Sequence, residues 1–296
     1  NGSNCGGITG KNMKIPSVTI KQLLEAGVHL GHKTFRWNPK MSKFIFGSKE
    51  SIHIIDLVQT LEMTNSALLE IHKCISSGGK ILFVSTKKQA TDTIAQLAKD
   101  TSQFFVNHRW LGGMLTNWKT ISNSIKLYKK LTEELKKENK GLTKKEILKL
   151  GTKRDKLERS LGGIADMKKI PDMIFIIDTN VESLAVKEGL KLNIPIVAVV
   201  DTNSDPTGIN FPIPGNDDAR RSINLYCDLV KQTILDAQKY IVNKKIDEPK
   251  LEEKKEIEKK VEKSDKTIKA SNKKSKESDK KVKVIKKSEK IVKSSK

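Results

Sequence analysis

The stretch Lys80–Asn117, KILFVSTKKQATDTIAQLAKDTSQFFVNHRWLGGMLTN, decides the fold. Ile81–Ser85 is a continuous apolar run of the buried-strand kind. Gln89–Lys99 sets Ile94, Leu97 and Ala98 at helical spacing, and Phe104–Asn107 is a second short strand. Strands that do not alternate apolar with polar are buried on both faces, which is the signature of parallel strands joined by crossover helices. The rhythm returns downstream as a strand at Met173–Asp178, a helix at Val181–Leu190, a strand at Ile194–Val200 and a helix at Asp217–Ile241. Upstream, a helix starts near Ser17 or Thr19 and stops at Gly27, followed by a loop over Val28–Met41. Phe44–Gly47 and Ile52–Asp56 read as two short strands around a polar turn, and Thr60–Ser76 as a helix. The expected class is α/β, a flavodoxin-like doubly wound parallel sheet.

That sheet is interrupted. Trp118, Ile121, Ile125, Tyr128, Thr132 and Leu135 are spaced 3, 4, 3, 4, 3, and so are Ile147, Leu150, Arg154, Leu157, Leu161 and Ile164. These are two coiled-coil seams. Asn139-Lys140-Gly141 makes a turn between them, and Thr143 to Glu146 fits a capping box. The expectation is an inserted antiparallel coiled-coil helical hairpin, an arm of roughly 30 Å at 1.5 Å per residue. The domain plan is then an N-terminal extension at 1–16, an α/β domain over 17–116 and 163–242, the hairpin at 117–162, and a disordered Lys-rich tail at 243–296. The tail has no aromatic residue and too little apolar surface to offset the entropy of ordering.

Charge follows the same division. Of the net +22, residues 244–296 carry +10 and residues 119–161 carry +8, leaving +4 for the rest. The positive field sits on two appendages, and it suits a polyanion: nucleic acid or an anionic surface. No apolar run approaches the ~20 residues of a membrane span, and the absence of a signal-type segment predicts a cytosolic compartment. Cys5, Cys74 and Cys227 are too far apart for a zinc knuckle or redox pair and read as reduced thiols.

Four groups of residues carry candidate chemistry. Lys126, Lys129, Lys130, Lys136, Lys137, Lys153 and Arg154 surround the seams and suit phosphate contacts; a solvated charged face is the plainer alternative. Arg109, Trp110 and Asn117 at the hairpin root offer a guanidinium fork, a ring for a base or for packing, and an amide. Lys33, Arg36, Trp37 and Lys40 make a basic loop with an aromatic inside it. Asp201 ends a strand, where open α/β sheets gather ligands, and with His32, Asp217 and Asp218 it forms an N/O set for zinc or magnesium. An N-cap role for Asp217 and a hydrogen-bonded His32 compete with that reading. The phosphate-loop, dinucleotide and nucleophile-elbow motifs are missing.

Taken together, AGVHLGHKTFRWNPKM (Ala26–Met41), IHIIDL (Ile52–Leu57), HRWLGGMLTN (His108–Asn117), SLGGI (Ser160–Ile164), PDMIFIID (Pro171–Asp178), DTNSDP (Asp201–Pro206) and IPGNDDARRS (Ile213–Ser222) resemble the bacterial-type small-subunit ribosomal protein S-two family. The resemblance runs from about Ser17 to Tyr240. It implies a non-enzymatic protein of the small ribosomal subunit, bound to small-subunit rRNA near the head–body junction and cytoplasmic; an organellar ribosome fits the same residues. It implies neighbouring small-subunit proteins as partners, including the mRNA-binding protein S-one, whose docking the domain assists. It implies rRNA contacts that include Arg220 and Arg221 beside the groups above, no required cofactor, and a zinc or magnesium ion on His32 and the three aspartates. No membrane and no small-molecule substrate is expected. A metal- or nucleotide-dependent enzyme on the same sheet and a free basic RNA-binding factor are the competing readings.

Overall fold

The computed structural model describes residues 16–136 and 143–242. The expected extension (but for Pro16), the Asn139–Gly141 turn, Lys137 and the Lys-rich tail lie outside the described residues. The chain divides into a unit ending at Tyr240 and a second beginning at Ile241.

Five parallel strands form the centre: β4 (Ile81–Val84), β5 (Phe104–Val106), β6 (Met173–Ile177), β7 (Ile196–Val200) and β8 (Phe211–Pro214), preceded in the chain by β1 to β3. Their order is β5-β4-β6-β7-β8, the 2-1-3-4-5 order of flavodoxin-like sheets. Every residue of β4, β6 and β7 is buried. Each such Val, Ile or Leu contributes on the order of 1.5–3 kcal/mol. On one face Leu82, Val84, Ile174, Ile176, Ala198 and Val200 share a core with helix α6 (Ser183–Lys191) and the 110–115 segment. On the other, Phe83 and Phe175 meet edge to face at 5.6 Å. Helix α3 (Thr91–Thr101) packs against β4 and β5, and α2 (Leu57–Ser76) packs against β8. Residues 220–242 are helical (α7).

Several expectations are corrected. The predicted loop Val28–Met41 holds a strand, β1 (Leu30–Lys33), and part of two 3-10 turns. β1 pairs with β3 (Ile52–Ile55), which pairs with β2 (Ile45–Lys49), in a separate antiparallel sheet. Strand β8 had no apolar run to announce it because Pro212 and Pro214 interrupt it. Prolines are tolerated there because β8 is an edge strand, and the Thr60 hydroxyl caps the Pro214 carbonyl at 2.8 Å. Helix α1 (Ile20–Glu25) starts in a capping box at Thr19 and Gln22. Helix α2 begins three residues early because Asp56 caps it. The final helix begins at residue 220, so Asp217 does not cap it.

The insertion is a helix pair, α4 (Trp118–Lys136) and α5 (Lys144–Leu161), in contact with each other. Thr143 and Glu146 form the expected capping box. On α5 and just beyond it, Ile147, Leu150, Arg154 and Leu157 are half-buried and Leu161 and Ile164 buried, as their spacing predicts. On α4 Ile121 and Ile125 are buried, but the next buried position is Leu131 rather than Thr132. The Thr132 hydroxyl instead bonds back to the Tyr128 carbonyl at 2.8 Å. Trp118, Ile121, Leu157 and Leu161 join the sheet core, so the two roots are fixed at one place.

Candidate nucleic-acid interface and metal centre

The segment between β5 and α4 is held by a residue that the sequence reading passed over. Glu188 of α6 is 8% exposed. Its carboxylate accepts hydrogen bonds from the Trp110 indole N–H at 3.1 Å and the backbone N–H of Gly113 at 2.7 Å, Leu115 at 2.9 Å and Thr116 at 3.0 Å. The Thr116 hydroxyl adds a fifth bond at 3.1 Å. Burial alone pushes this carboxyl up, but the amides of Thr116, Leu115 and Gly113 and the Trp110 indole outweigh it and hold Glu188 below the ordinary range. The signal was available: Glu188 shares the buried stripe of α6 with Ala185 and Gly189, and a carboxylate on such a stripe needs partners.

Of the two roles open to Trp110, this anchoring favours packing: its ring is 7% exposed and its indole is committed to Glu188 at the root of the helix pair. Arg109 and Asn117, on either side, are exposed. Gly163 closes the other root against β5, where an added Cβ would stand 2.1 Å from the Phe105 carbonyl oxygen.

The other expected cations are spread over the surface. Lys126, Lys129, Lys130, Lys136 and Lys153 are exposed on α4 and α5, and Arg154 is half-buried. Three carry intramolecular pairs, Lys129 with Asp166 at 2.9 Å, Lys130 with Glu134 at 3.8 Å and Arg154 with Asp155. Lys33, Arg36, Trp37 and Lys40 are exposed around the first 3-10 turns. Trp37 lies 5.4 Å from the His53 ring, and Lys40 pairs with Asp205 at 2.6 Å. Arg220 and Arg221 are exposed at the start of α7.

At the carboxyl end of the sheet, the loops after β4, β6, β7 and β8 converge with β1. Gly31 makes room for that approach, since a Cβ there would meet the Thr202 side chain at 2.6 Å. The Thr202 hydroxyl accepts from the His32 N–H at 2.9 Å. His32 then stands between two carboxylates, with Nδ1 at 3.0 Å from Asp201 and Nε2 at 3.4 Å from Asp218. The hydrogen bond to Asp201 raises His32 above the usual imidazole range; burial opposes this, and the charges of Asp201, Asp217 and Asp218 add to it. One donor atom each from His32, Asp201 and Asp218 lies within 4.8 Å of the others. This one-nitrogen, two-oxygen set fits a zinc or magnesium ion.

Asp217 does not join that set. Its Oδ1 receives the Lys87 ammonium at 2.7 Å, and the same ammonium reaches Asp178 at 3.1 Å and Asp218 at 2.7 Å. Burial pushes Asp217 up to about 7, the neighbouring charges of Asp201 and Asp178 add to this, and Lys87 opposes it. Lys87 is held above its ordinary range because Asp217, Asp218 and Asp178 outweigh burial. The predicted quartet is therefore a trio that shares Asp218 with an ammonium–aspartate cluster. Nothing in the spacing of Lys87 announced it, because its partners come from two other loops, those after β6 and β8.

Comparison with known proteins gives one consistent result. A family described as ribosomal protein S2 matches residues 23–237. The chain is 57% identical over 224 residues to the small ribosomal subunit protein uS2 of Parvibaculum lavamentivorans, covering 76% of this chain and 88% of that one. It is 55% identical over 224 residues to the protein of the same name from Caulobacter vibrioides, covering 76% and 84%. With that of Brucella suis it shares 56% over 224 residues, covering 76% and 88%.

Proposed function

The chain belongs to the ribosomal protein S2 family, whose members are structural and not enzymes, and we propose that it is an rRNA-binding component of the small ribosomal subunit in the cytoplasm. The observation that carries this reading is the exposed basic helix pair on a root fixed by Glu188. Phosphate contacts supply salt-sensitive grip without sequence preference, and a rigid root supplies orientation. The paired helices act as a coiled-coil arm, with Lys126, Lys130, Lys136 and Lys153 facing the polyanion. Arg109, Asn117, Arg36, Arg220 and Arg221 add contacts near the head–body junction. Neighbouring small-subunit proteins, including the mRNA-binding protein S-one, dock on the apolar surface left by Ile20, Leu24 and Leu30, which are exposed. His32, Asp201 and Asp218 hold a zinc or magnesium ion that ties the β1, β7 and β8 loops together. Among the described residues no helix is long and apolar enough to cross a membrane.

Sedimentation of tagged full-length protein with small subunits tests the reading. Stable co-migration is expected through moderate salt, weakened when Lys126, Lys130, Lys136 and Lys153 are changed to Gln. A free pool with nucleotide turnover refutes it.

A further inference from the structure

A groove beside the edge strand β5 is left unassigned. Two hollows, of about 550 and 330 Å³, meet at Asn107 and His108. One runs along α3 and under the hairpin root. The other opens at the start of α3, at the carboxyl end of β4 and β5. Together they extend from Lys88, just before α3, to Lys99, with the stretch from Thr91 to Lys99 spanning about 12 Å along α3 at 1.5 Å per residue.

The chemistry of the walls is asymmetric in a way that its formal charge hides. Lys88, Lys99 and Arg159 line the groove and are exposed. Among the described residues none of the three has a carboxylate partner. The acids in the walls are already engaged: Arg154 takes Asp155 and lies 4.0 Å from Glu158. Asp92 sits in the first turn of α3, where the helix dipole offsets it. Phe105 and Tyr128 add half-buried rings.

We propose that this groove is a second RNA site, in which Lys88, Lys99 and Arg159 track the phosphates of a single-stranded rRNA segment and Tyr128 and Phe105 receive a base. Cations along a groove with ring faces inside it are the arrangement that holds a strand without reading its sequence. The proposal rests on the rRNA-binding reading and extends it to residues distinct from the helix-pair lysines. The arm is a lever in solution; the groove is a slot between the arm's root and the sheet.

The test uses the full chain and a small-subunit rRNA transcript, comparing a groove variant (Lys88→Gln, Lys99→Gln, Arg159→Gln) with an arm variant (Lys126→Gln, Lys136→Gln, Lys153→Gln). Binding is measured against salt, and protected riboses are mapped by hydroxyl-radical footprinting. Three single-strand phosphate contacts predict a log–log salt slope shallower by about 2 in the groove variant. One discrete set of protections is lost that the arm variant keeps. Melting within a few degrees of the parent shows that the fold is intact. An unchanged slope and footprint in the groove variant, with the arm variant weakened, overturns the groove and leaves rRNA binding standing. Unchanged RNA binding together with loss of a neighbouring subunit protein from assembled particles assigns the groove to protein and also overturns it. If the parent does not bind the transcript, the rRNA reading itself fails.

Discussion

Replacing Glu188 with Ala removes the acceptor for four N–H donors and one hydroxyl at once. The bonds from Trp110 and Leu115 are fully buried, and each orphaned buried donor costs about 1–3 kcal/mol. The remaining donors reach water after a small adjustment, so the expected loss is about 4 kcal/mol. For a domain of this size that lowers Tm by about 8–16 °C. Glu188→Gln keeps one acceptor oxygen and turns an NH2 group against the opposite donors, so it falls in between. Because Glu188 is held below its ordinary range in the folded chain, its contribution is complete above the unfolded glutamate value near ~4.3. It fades as pH falls through the lower folded value. The parent therefore loses stability on acidification that the Gln variant has already lost. Urea unfolding at pH 7 and pH 4, with amide exchange at Gly113, Leu115 and Thr116, reads both effects. An Ala variant within about 1 kcal/mol of the parent, with those amides still protected, refutes Glu188 as the anchor of the hairpin root.

Gly163→Ala drives a methyl into the Phe105 carbonyl and is expected to cost about 1–3 kcal/mol. Gly112→Ala, which meets nothing within 4 Å, stays within about 0.5 kcal/mol; chemical denaturation of both separates close approach from glycine's entropy. Adding zinc to chelator-treated protein raises Tm by mass action on the folded state, and His32→Ala abolishes the rise. An equal rise in the His32→Ala protein removes this trio as the site.

The strands β4, β6 and β7 were legible because burial on both faces makes a sequence apolar without alternation. β1 and β8 were not, because LGHK and FPIP carry no run of apolar residues; β1 exists through its ladder to β3 and β8 through its ladder to β7. The seam on α5 followed its spacing to the end, whereas α4 shifted to Leu131 once Thr132 had satisfied its hydroxyl within the helix. Of the expected metal quartet, Asp201 alone followed from the rule about strand ends; His32 and Asp218 come near it through β1 and the loop after β8. Which aspartate an ammonium claims depends on loop geometry. Lys87 comes from the loop after β4 and its partners from the loops after β6 and β8, and no local pattern links them.

The Lys87 cluster has a consequence for the fold's reactivity. In open α/β sheets the crevice beyond the strand ends is where cargo is admitted. In this chain a tethered cation has moved in. An ammonium held by Asp178, Asp217 and Asp218 supplies from within the chain the positive charge that the carboxylates of the crevice call for. The ammonium thereby ties the loops after β4, β6 and β8 to one another at the carboxyl end of the sheet.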